Sequence, residues 1–184
     1  MRLEGLPTAR RPVNRERALA ERTKELACLT GVGGEVATGP QRINYMTSKK
    51  VFIEPSGFFA FIDRANPKYE QAAAYFRYFA QEGYTLFTDS QTLTEVYNQI
   101  YREISPSLAK DFLRTLFLSD INIIYPEERD IKAALKTLVN FQSTELTFSK
   151  AIKAVLANRR GIGQVFTFEY LHPLFGQNAF YLPF

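Results

Sequence analysis

The stretch VFIEPSGFFAFID, residues 51–63, places a single carboxylate, Glu54, directly after an apolar run of the kind that forms a buried strand. A charge at the end of an inner strand is costly unless it is solvated, paired or bound to a cation. The simpler explanation is that the strand leaves the sheet there and meets water. The alternative is that Glu54 is a metal ligand or a catalytic group, and the surrounding sequence has to decide between the two.

Short apolar segments alternate with segments of helical pattern around this stretch. The predicted strands are KKVFIE, YTLFT, INIIY and QVFTF, at residues 49–54, 84–88, 121–125 and 164–168. Six helical segments lie between them, and in one of these Leu93, Val96 and Ile100 recur at helical spacing, with Asp89 or Ser90 suited to cap it. Strands that are apolar throughout and separated by helices predict a parallel α/β sheet with helices on both faces.

Two glutamates follow predicted strands of this sheet. Glu54 ends the first strand and Glu169 follows the last one. In open α/β sheets the ligand crevice lies at the carboxyl ends of the strands. The pattern therefore makes both glutamates candidates for a functional site.

Composition limits the compartment and the kinds of site. The chain has 184 residues with 46% hydrophobic content, enough for one domain of ordinary size, and it has no apolar run near the ~20 residues of a membrane span. Cys28 is the only cysteine and His172 the only histidine, which excludes an intrachain disulfide and a Cys/His zinc site within one chain. A reducing, cytoplasmic location fits this composition.

The basic charge belongs to the N-terminal part of the chain. Residues 1–50 hold ten Lys and Arg against five Asp and Glu, whereas residues 51–184 hold thirteen against fourteen. We therefore divide the chain into an extension, residues 1–45, and a main domain, residues 46–184. The extension contains a predicted short helix between Asn14 and Gly31. It is either a basic arm that contacts nucleic acid or a partner helix, or an upstream read-through with the natural start at Met46.

Four stretches in order resemble a PIN domain, the nuclease fold of VapC-type toxins. They are VFIEPSGFFAFIDRANPKYEQA at 51–72, TDSQTLTEVYNQI at 88–100, LTFSKAIKAVLANRRGI at 146–162, and the closing VFTFE segment that begins at 165. The resemblance implies an acidic cluster that binds Mg²⁺ or Mn²⁺ and cuts RNA. It also implies RNA as substrate, an antitoxin-like protein partner and a homodimer.

Aligned residue by residue, the four acids of the family motif fall on Glu54, Glu95, Lys150 and Glu169. The resemblance implies that Glu54, Glu95 and Glu169 hold the metal, because hard divalent cations prefer carboxylate oxygens. A bound metal would polarise the phosphate and lower the pKa of an attacking water. Lys150 departs from the family pattern, because it places a positive charge where the family has an acid.

This departure leaves two functions open. In the first, the Lys150 ammonium takes the space of the cation, the metal site is eroded, RNase activity is weak or lost, and the protein acts by binding RNA or protein. In the second, Glu54, Glu95 and Glu169 hold Mg²⁺ or Mn²⁺ in a working endoribonuclease of toxin–antitoxin type, and Lys150 neutralises the scissile phosphate. A register shift would instead bring Glu145 to the site.

Several other side chains have predicted roles near the site. Ser56 and Thr167 are candidates to bond to the site carboxylates, and Asp63 and Asp89 are candidates to cap or solvate helix ends. A third possibility, an α/β domain that binds a small molecule, is disfavoured because the sequence has no Gly-rich phosphate loop of either common type.

Overall fold

The computed structural model describes residues 49–140, 146–171 and 176–182. Within them, five strands form one all-parallel sheet in the order β3-β2-β1-β4-β5. The strands are β1 Lys50–Ile53, β2 Thr85–Asp89, β3 Asn122–Ile124, β4 Gln164–Phe166 and β5 Asn178–Ala179. The extension and Glu145, for which the sequence makes predictions, lie outside the described residues, as does His172.

Six helices connect the strands of the described part. They are α1 Pro55–Ile62, α2 Tyr69–Gln81, α3 Ser90–Glu103, α4 Pro106–Phe117, α5 Glu128–Asn140 and α6 Phe148–Arg159. The predicted cap of α3 is confirmed, because the Asp89 side chain accepts a hydrogen bond from the Thr92 backbone N–H at 2.6 Å. Ser105 caps α4 in the same way, through the Leu108 N–H. The predicted α/β class is therefore confirmed.

Strand β1 is the centre of the sheet, which explains why its sequence is apolar throughout. Phe52 pairs with Phe87 of β2 on one side and with Val165 of β4 on the other. Val51 and Ile53 pack into the core formed with α1 to α4, whereas Phe52 packs into the core formed with α5 and α6. A parallel strand buried on both faces needs apolar residues at every position, not at alternate ones.

Helix α1 approaches the sheet closely at Gly57. A Cβ atom at this position would lie 2.9 Å from two atoms of the Phe166 ring and 3.3 Å from the Ile53 side chain. Only a residue without a side chain fits without displacing that ring. The Pro-Ser-Gly sequence therefore lets the start of α1 rest on the ends of β1 and β4, directly beside Glu54.

The structure differs from the sequence-based expectation in two details. Strand β5 was not predicted, because two residues carry no periodic pattern. Helix α2 begins at Tyr69, two residues after Pro67, which is suited to a first helical position. For Tyr75 the sequence favours ordinary packing over a dimer face or base stacking, and this side chain is buried in the core against Phe166 with ring centroids 4.6 Å apart. Among the described residues, the helices are all too short or too polar to cross a membrane.

Candidate functional site

The four residues selected from the sequence line one pocket at the carboxyl ends of the strands. Glu54, Glu95, Lys150 and Glu169 surround a space of about 90 Å³ together with Pro55, Thr147, Ser149 and Lys153. The topology explains part of this convergence, because β1 and β4 are parallel neighbours and their carboxyl ends meet at one edge. Helix α3 supplies Glu95, and α6 with its N-cap supplies Thr147, Ser149, Lys150 and Lys153, while Pro55 is the first residue of α1.

Glu54 is the most buried acid of this pocket. It lies between β1 and α1, its backbone N–H donates to the Phe166 carbonyl at 3.1 Å, and the residue is only 7% exposed. Burial raises the pKa of Glu54 above its ordinary value. A hydrogen bond from the Thr167 side chain and the nearby Lys153 charge oppose this rise without cancelling it. Glu54 is therefore protonated more readily than an ordinary glutamate.

The Glu95 carboxylate is held at both of its oxygens. Ser149 Oγ donates to Glu95 Oε1 at 2.6 Å, and Lys153 Nζ donates to Glu95 Oε2 at 2.7 Å. The Lys153 side chain is only 6% exposed, so this charge-assisted hydrogen bond is shielded from water on the lysine side. Both donors come from α6, which thus fixes the orientation of an acid carried by α3.

Lys150 and Glu169 form a looser pair at the mouth of the pocket. Lys150 Nζ lies 3.5 Å from Glu169 Oε2, and both side chains are partly solvated. Exposed pairs of this kind contribute little to stability and rearrange easily. Lys150 therefore neutralises Glu169 without being fixed in place.

A hydrogen-bonded loop carries Glu169. The Ser56 and Thr167 hydroxyls lie 3.1 Å apart, Ser56 Oγ accepts from the Phe168 N–H at 2.9 Å, and Thr167 Oγ1 accepts from the Glu169 N–H at 3.0 Å. The Thr167 side chain also acts on the Glu54 carboxyl and lowers its pKa, whereas Ser56 bonds to Thr167 and to the backbone. Both hydroxyls hold the end of β4 against the start of α1.

The role of Lys153 was not predicted from the sequence. It lies three residues after Lys150 on α6, so both ammonium groups face the same side of the helix and line the same pocket. Its charge acts on Glu54 and Asp89 as well as on Glu95. The spacing of the two lysines on a predicted helix was the available signal, but the family motif has an acid at only the first position.

Asp89 is a second residue whose contribution was underestimated. Besides capping α3 through Oδ1, it is fully buried, and its Oδ2 has no hydrogen-bond partner in the described part of the chain. Burial raises the pKa of Asp89, while the hydrogen bond from Thr92 and the Lys153 charge lower it. The electrostatic field at the site therefore comes from four carboxyl groups and two ammonium groups.

This arrangement does not fit a resident divalent cation as it stands. Over residues 49–140, 146–171 and 176–182, no three Asp, Glu, His or Cys side chains come close enough together to hold a metal ion. Divalent cations need several oxygen ligands at once, and an ammonium group among them opposes a second positive charge. Binding of Mg²⁺ or Mn²⁺ by Glu54, Glu95 and Glu169 stays a prediction.

The five-stranded parallel sheet, with acids converging at the carboxyl ends of its strands, defines the class of this domain: the chain has a VapC-like PIN fold. The crystal structure of Mycobacterium tuberculosis VapC20, described as a toxin that cleaves the sarcin–ricin loop, matches it with a TM-score of 0.58. The match has 17% sequence identity and covers 65% of this chain and 89% of VapC20. No family model and no curated protein matches the sequence.

Proposed function

We propose that this protein is a homologue of the PIN-domain ribonucleases whose acidic site is neutralised internally by lysines, so that metal-dependent RNA cleavage is weak or lost. In this proposal the protein acts in the cytoplasm by binding RNA, as a homodimer, and an antitoxin-like protein regulates it. The single observation that carries the proposal is the bond between the buried Lys153 ammonium and Glu95 Oε2 at 2.7 Å.

Lys153 acts as the cation of the site. Its side chain is almost completely buried, so its charge is stable there only if carboxylates compensate it. Glu95 bonds to it directly, and Glu54 and Asp89 lie within its electrostatic influence. A divalent cation entering the pocket would have to displace this ammonium or bear its repulsion. We therefore infer that the lysine lowers the affinity of the pocket for Mg²⁺ and Mn²⁺.

Lys150 adds to this effect at the entrance of the pocket. Its pairing with Glu169 removes the negative charge of the acid that the fourth family position would supply. Because this pair is partly solvated, Lys150 remains able to leave Glu169 and contact an incoming phosphate. The combination favours RNA binding at the mouth of the pocket over metal-assisted hydrolysis inside it. Sarcin–ricin loop cleavage by VapC20 makes structured RNA the first ligand to test.

The second candidate is an active Mg²⁺- or Mn²⁺-dependent endoribonuclease. It is favoured by the convergence of Glu54, Glu95 and Glu169 on one pocket and by the buried Asp89 Oδ2, which is left without a hydrogen-bond partner among the described residues. In that case Glu54, Glu95 and Glu169 would hold the ion, and the metal would supply Lewis-acid activation of the phosphate and of water. Lys150 would then neutralise the scissile phosphate.

Calorimetric titration of the full chain with Mn²⁺ and Mg²⁺ separates the two candidates. We expect no binding by the natural protein, and Mn²⁺ binding by Lys150→Asp or by Lys150→Asp combined with Lys153→Met. Lys136→Asp is the matched control, because Lys136 is an exposed lysine of α5 that does not line the acidic pocket. Binding of either ion by the natural protein, abolished by Glu95→Gln and accompanied by RNA cleavage, would overturn the proposal.

A further inference from the structure

A larger pocket lies next to the acidic one and shares Glu169 with it as a wall. It has a volume of about 250 Å³, against about 90 Å³ for the acidic pocket. Its other walls include Phe59, Ala60, Asn66, Lys68, Gln99 and Phe168. None of these residues takes part in the acidic cluster, so the second pocket has a chemistry of its own.

Phe59 and Phe168 form an apolar floor of this pocket, and both pack against the core. Phe59 is almost completely buried, and the half-buried Phe168 ring packs against Phe166 with centroids 5.3 Å apart and against Tyr75 at 6.3 Å. The Phe168 backbone N–H is also tied to Ser56 Oγ. Such an aromatic floor suits a flat, apolar-faced group such as a nucleobase, because every base has a π-face that packs on aromatic side chains.

The side chains at the rim have hydrogen-bonding capacity that their contacts with other described residues do not use up. Asn66 Oδ1 accepts from the Lys68 N–H at 2.9 Å, which leaves its amide NH₂ free to donate. Gln99 Nε2 makes a long contact of 3.5 Å to Glu103, which leaves its carbonyl oxygen as an acceptor. Glu169 adds carboxylate oxygens on the side facing the acidic pocket.

Lys68 provides a positive charge at the edge of the same pocket. Its side chain is exposed and forms no ion pair within the described residues. An apolar floor, amide groups at the rim and one unpaired ammonium group match the three parts of a nucleotide: the base faces, the base edge and the phosphate. RNA-binding proteins read unpaired nucleotides with this combination of groups.

We infer that this pocket binds one unpaired nucleobase of an RNA, with Lys68 contacting a phosphate of the same strand. The inference rests on the proposed RNA-binding function and adds a base preference to it. Gln99 and Glu169 contribute acceptors to the rim, and an exocyclic amino group with its two N–H bonds can donate to both, whereas uracil has only its single ring N–H. The Asn66 amide adds a donor that an acceptor of any base can use. Adenine, cytosine and guanine are therefore the preferred occupants over uracil.

Titration of the full chain with AMP, CMP, GMP and UMP tests the inference. We expect the three amino-bearing nucleotides to bind more tightly than UMP. Gln99→Ala should weaken their binding by about fivefold, the loss of one hydrogen bond, and should change UMP binding less. Lys68→Ala should weaken all four nucleotides by a similar factor, because a phosphate contact carries no base information. Lys136→Ala, on the opposite face, is the control for Lys68→Ala and should leave binding unchanged.

Other outcomes separate this inference from the proposed function. The inferred base pocket is wrong if the protein binds single-stranded RNA but none of the four nucleotides. It is also wrong if Gln99→Ala and Lys68→Ala both bind all four nucleotides as the natural protein does. In either case the proposed RNA binding is unaffected. If nucleotides bind with the expected variant effects but RNA of any structure does not, the base pocket stands and the proposed RNA-binding function is wrong. Circular dichroism should show unchanged folding for both variants, since both side chains lie at the surface.

Discussion

The Lys153 ammonium and the Glu95 carboxylate, on helices α6 and α3, meet at 2.7 Å in the acidic pocket, although the two residues are 58 positions apart in the chain. The lysine side chain is 6% exposed and that of the glutamate 40%. The pair is thus buried at one end and solvated at the other. This difference in exposure determines what the loss of each partner costs. Water can stabilise the Glu95 carboxylate when Lys153 is absent, but it cannot reach the Lys153 ammonium when Glu95 is absent.

We predict that Glu95→Gln destabilises the protein more than Lys153→Met does. Removing the acid leaves a buried ammonium without its partner, for which we expect a loss of about 3 kcal/mol, the lower end of the range for breaking a buried ion pair. Removing the lysine leaves a carboxylate that water and Ser149 still solvate, and we expect a loss of about 1 kcal/mol. Urea denaturation of both variants and of the double variant measures the two losses. Equal losses would contradict the asymmetry.

The second prediction concerns metal-dependent stability. In the natural protein, Mn²⁺ should leave the thermal unfolding midpoint unchanged, because the lysines compensate the acids. In Lys150→Asp with Lys153→Met, Mn²⁺ at a hundredfold excess over its Kd should stabilise the fold by about 2.7 kcal/mol. Differential scanning calorimetry with Mn²⁺ and with EDTA measures the change. A midpoint that rises with Mn²⁺ in the natural protein and not in the variant would reverse the assigned role of the lysines.

The third prediction is a pH dependence caused by Glu54. Burial raises the pKa of Glu54 in the folded protein, so the folded state holds this proton more tightly than the unfolded chain does. The free energy of unfolding therefore decreases as the pH rises from the ordinary glutamate pKa through the raised one. Below this pH range the Glu54 carboxyl is neutral in both the folded and the unfolded state. The free energy of unfolding is then not reduced by its ionisation.

Glu54→Gln should remove this dependence, because the amide stays neutral at every pH. We expect the variant to be more stable than the natural protein above this pH range, with the difference shrinking as the pH falls. Urea denaturation at several pH values between about 4 and 8 spans the ordinary glutamate pKa and neutrality. If the variant is less stable than the natural protein at neutral pH, the attraction between the Glu54 carboxylate and Lys153 outweighs the cost of burying the Glu54 charge.

The fourth prediction concerns the close contact at Gly57. Gly57→Ala would force a methyl group to 2.9 Å from the Phe166 ring, and we expect a loss of about 1 to 3 kcal/mol from overpacking. Gly163→Ala is the matched control, because a Cβ atom there would meet nothing within 4 Å. Guanidinium denaturation of both variants measures the losses. A Gly57→Ala variant as stable as Gly163→Ala would show that the ring moves aside at little cost.

Much of the fold was predictable because its determinants are local. The central strand β1 is apolar at consecutive positions, and this pattern is required wherever helices cover both faces of a sheet. The Asp89 cap was readable because its side chain bonds to a backbone N–H only three residues away, and Ser105 caps α4 by the same local contact. Strand β5 was not readable, since two residues owe their conformation only to pairing with β4.

The residues that line the site could be predicted better than the charge interactions among them. The family resemblance selected Glu54, Glu95, Lys150 and Glu169, and the structure gathers all four at one pocket. It did not select Lys153, because a lysine on a helix is usually a solvated surface residue. Here α6 is placed so that this lysine is buried, and a buried ammonium has to find a carboxylate.

The order of helices and strands, the parallel sheet and the edge at which the acids collect follow from the sequence alone, because these depend on local hydrophobic pattern and on strand direction. The electrostatic interactions within the site come from the tertiary structure. It paired Lys153 with Glu95 and Lys150 with Glu169, and it buried Glu54 deeply enough to raise its pKa. Both effects depend on distance and on exclusion of water between residues far apart in the chain, and only the packing of the helices against the sheet sets these quantities.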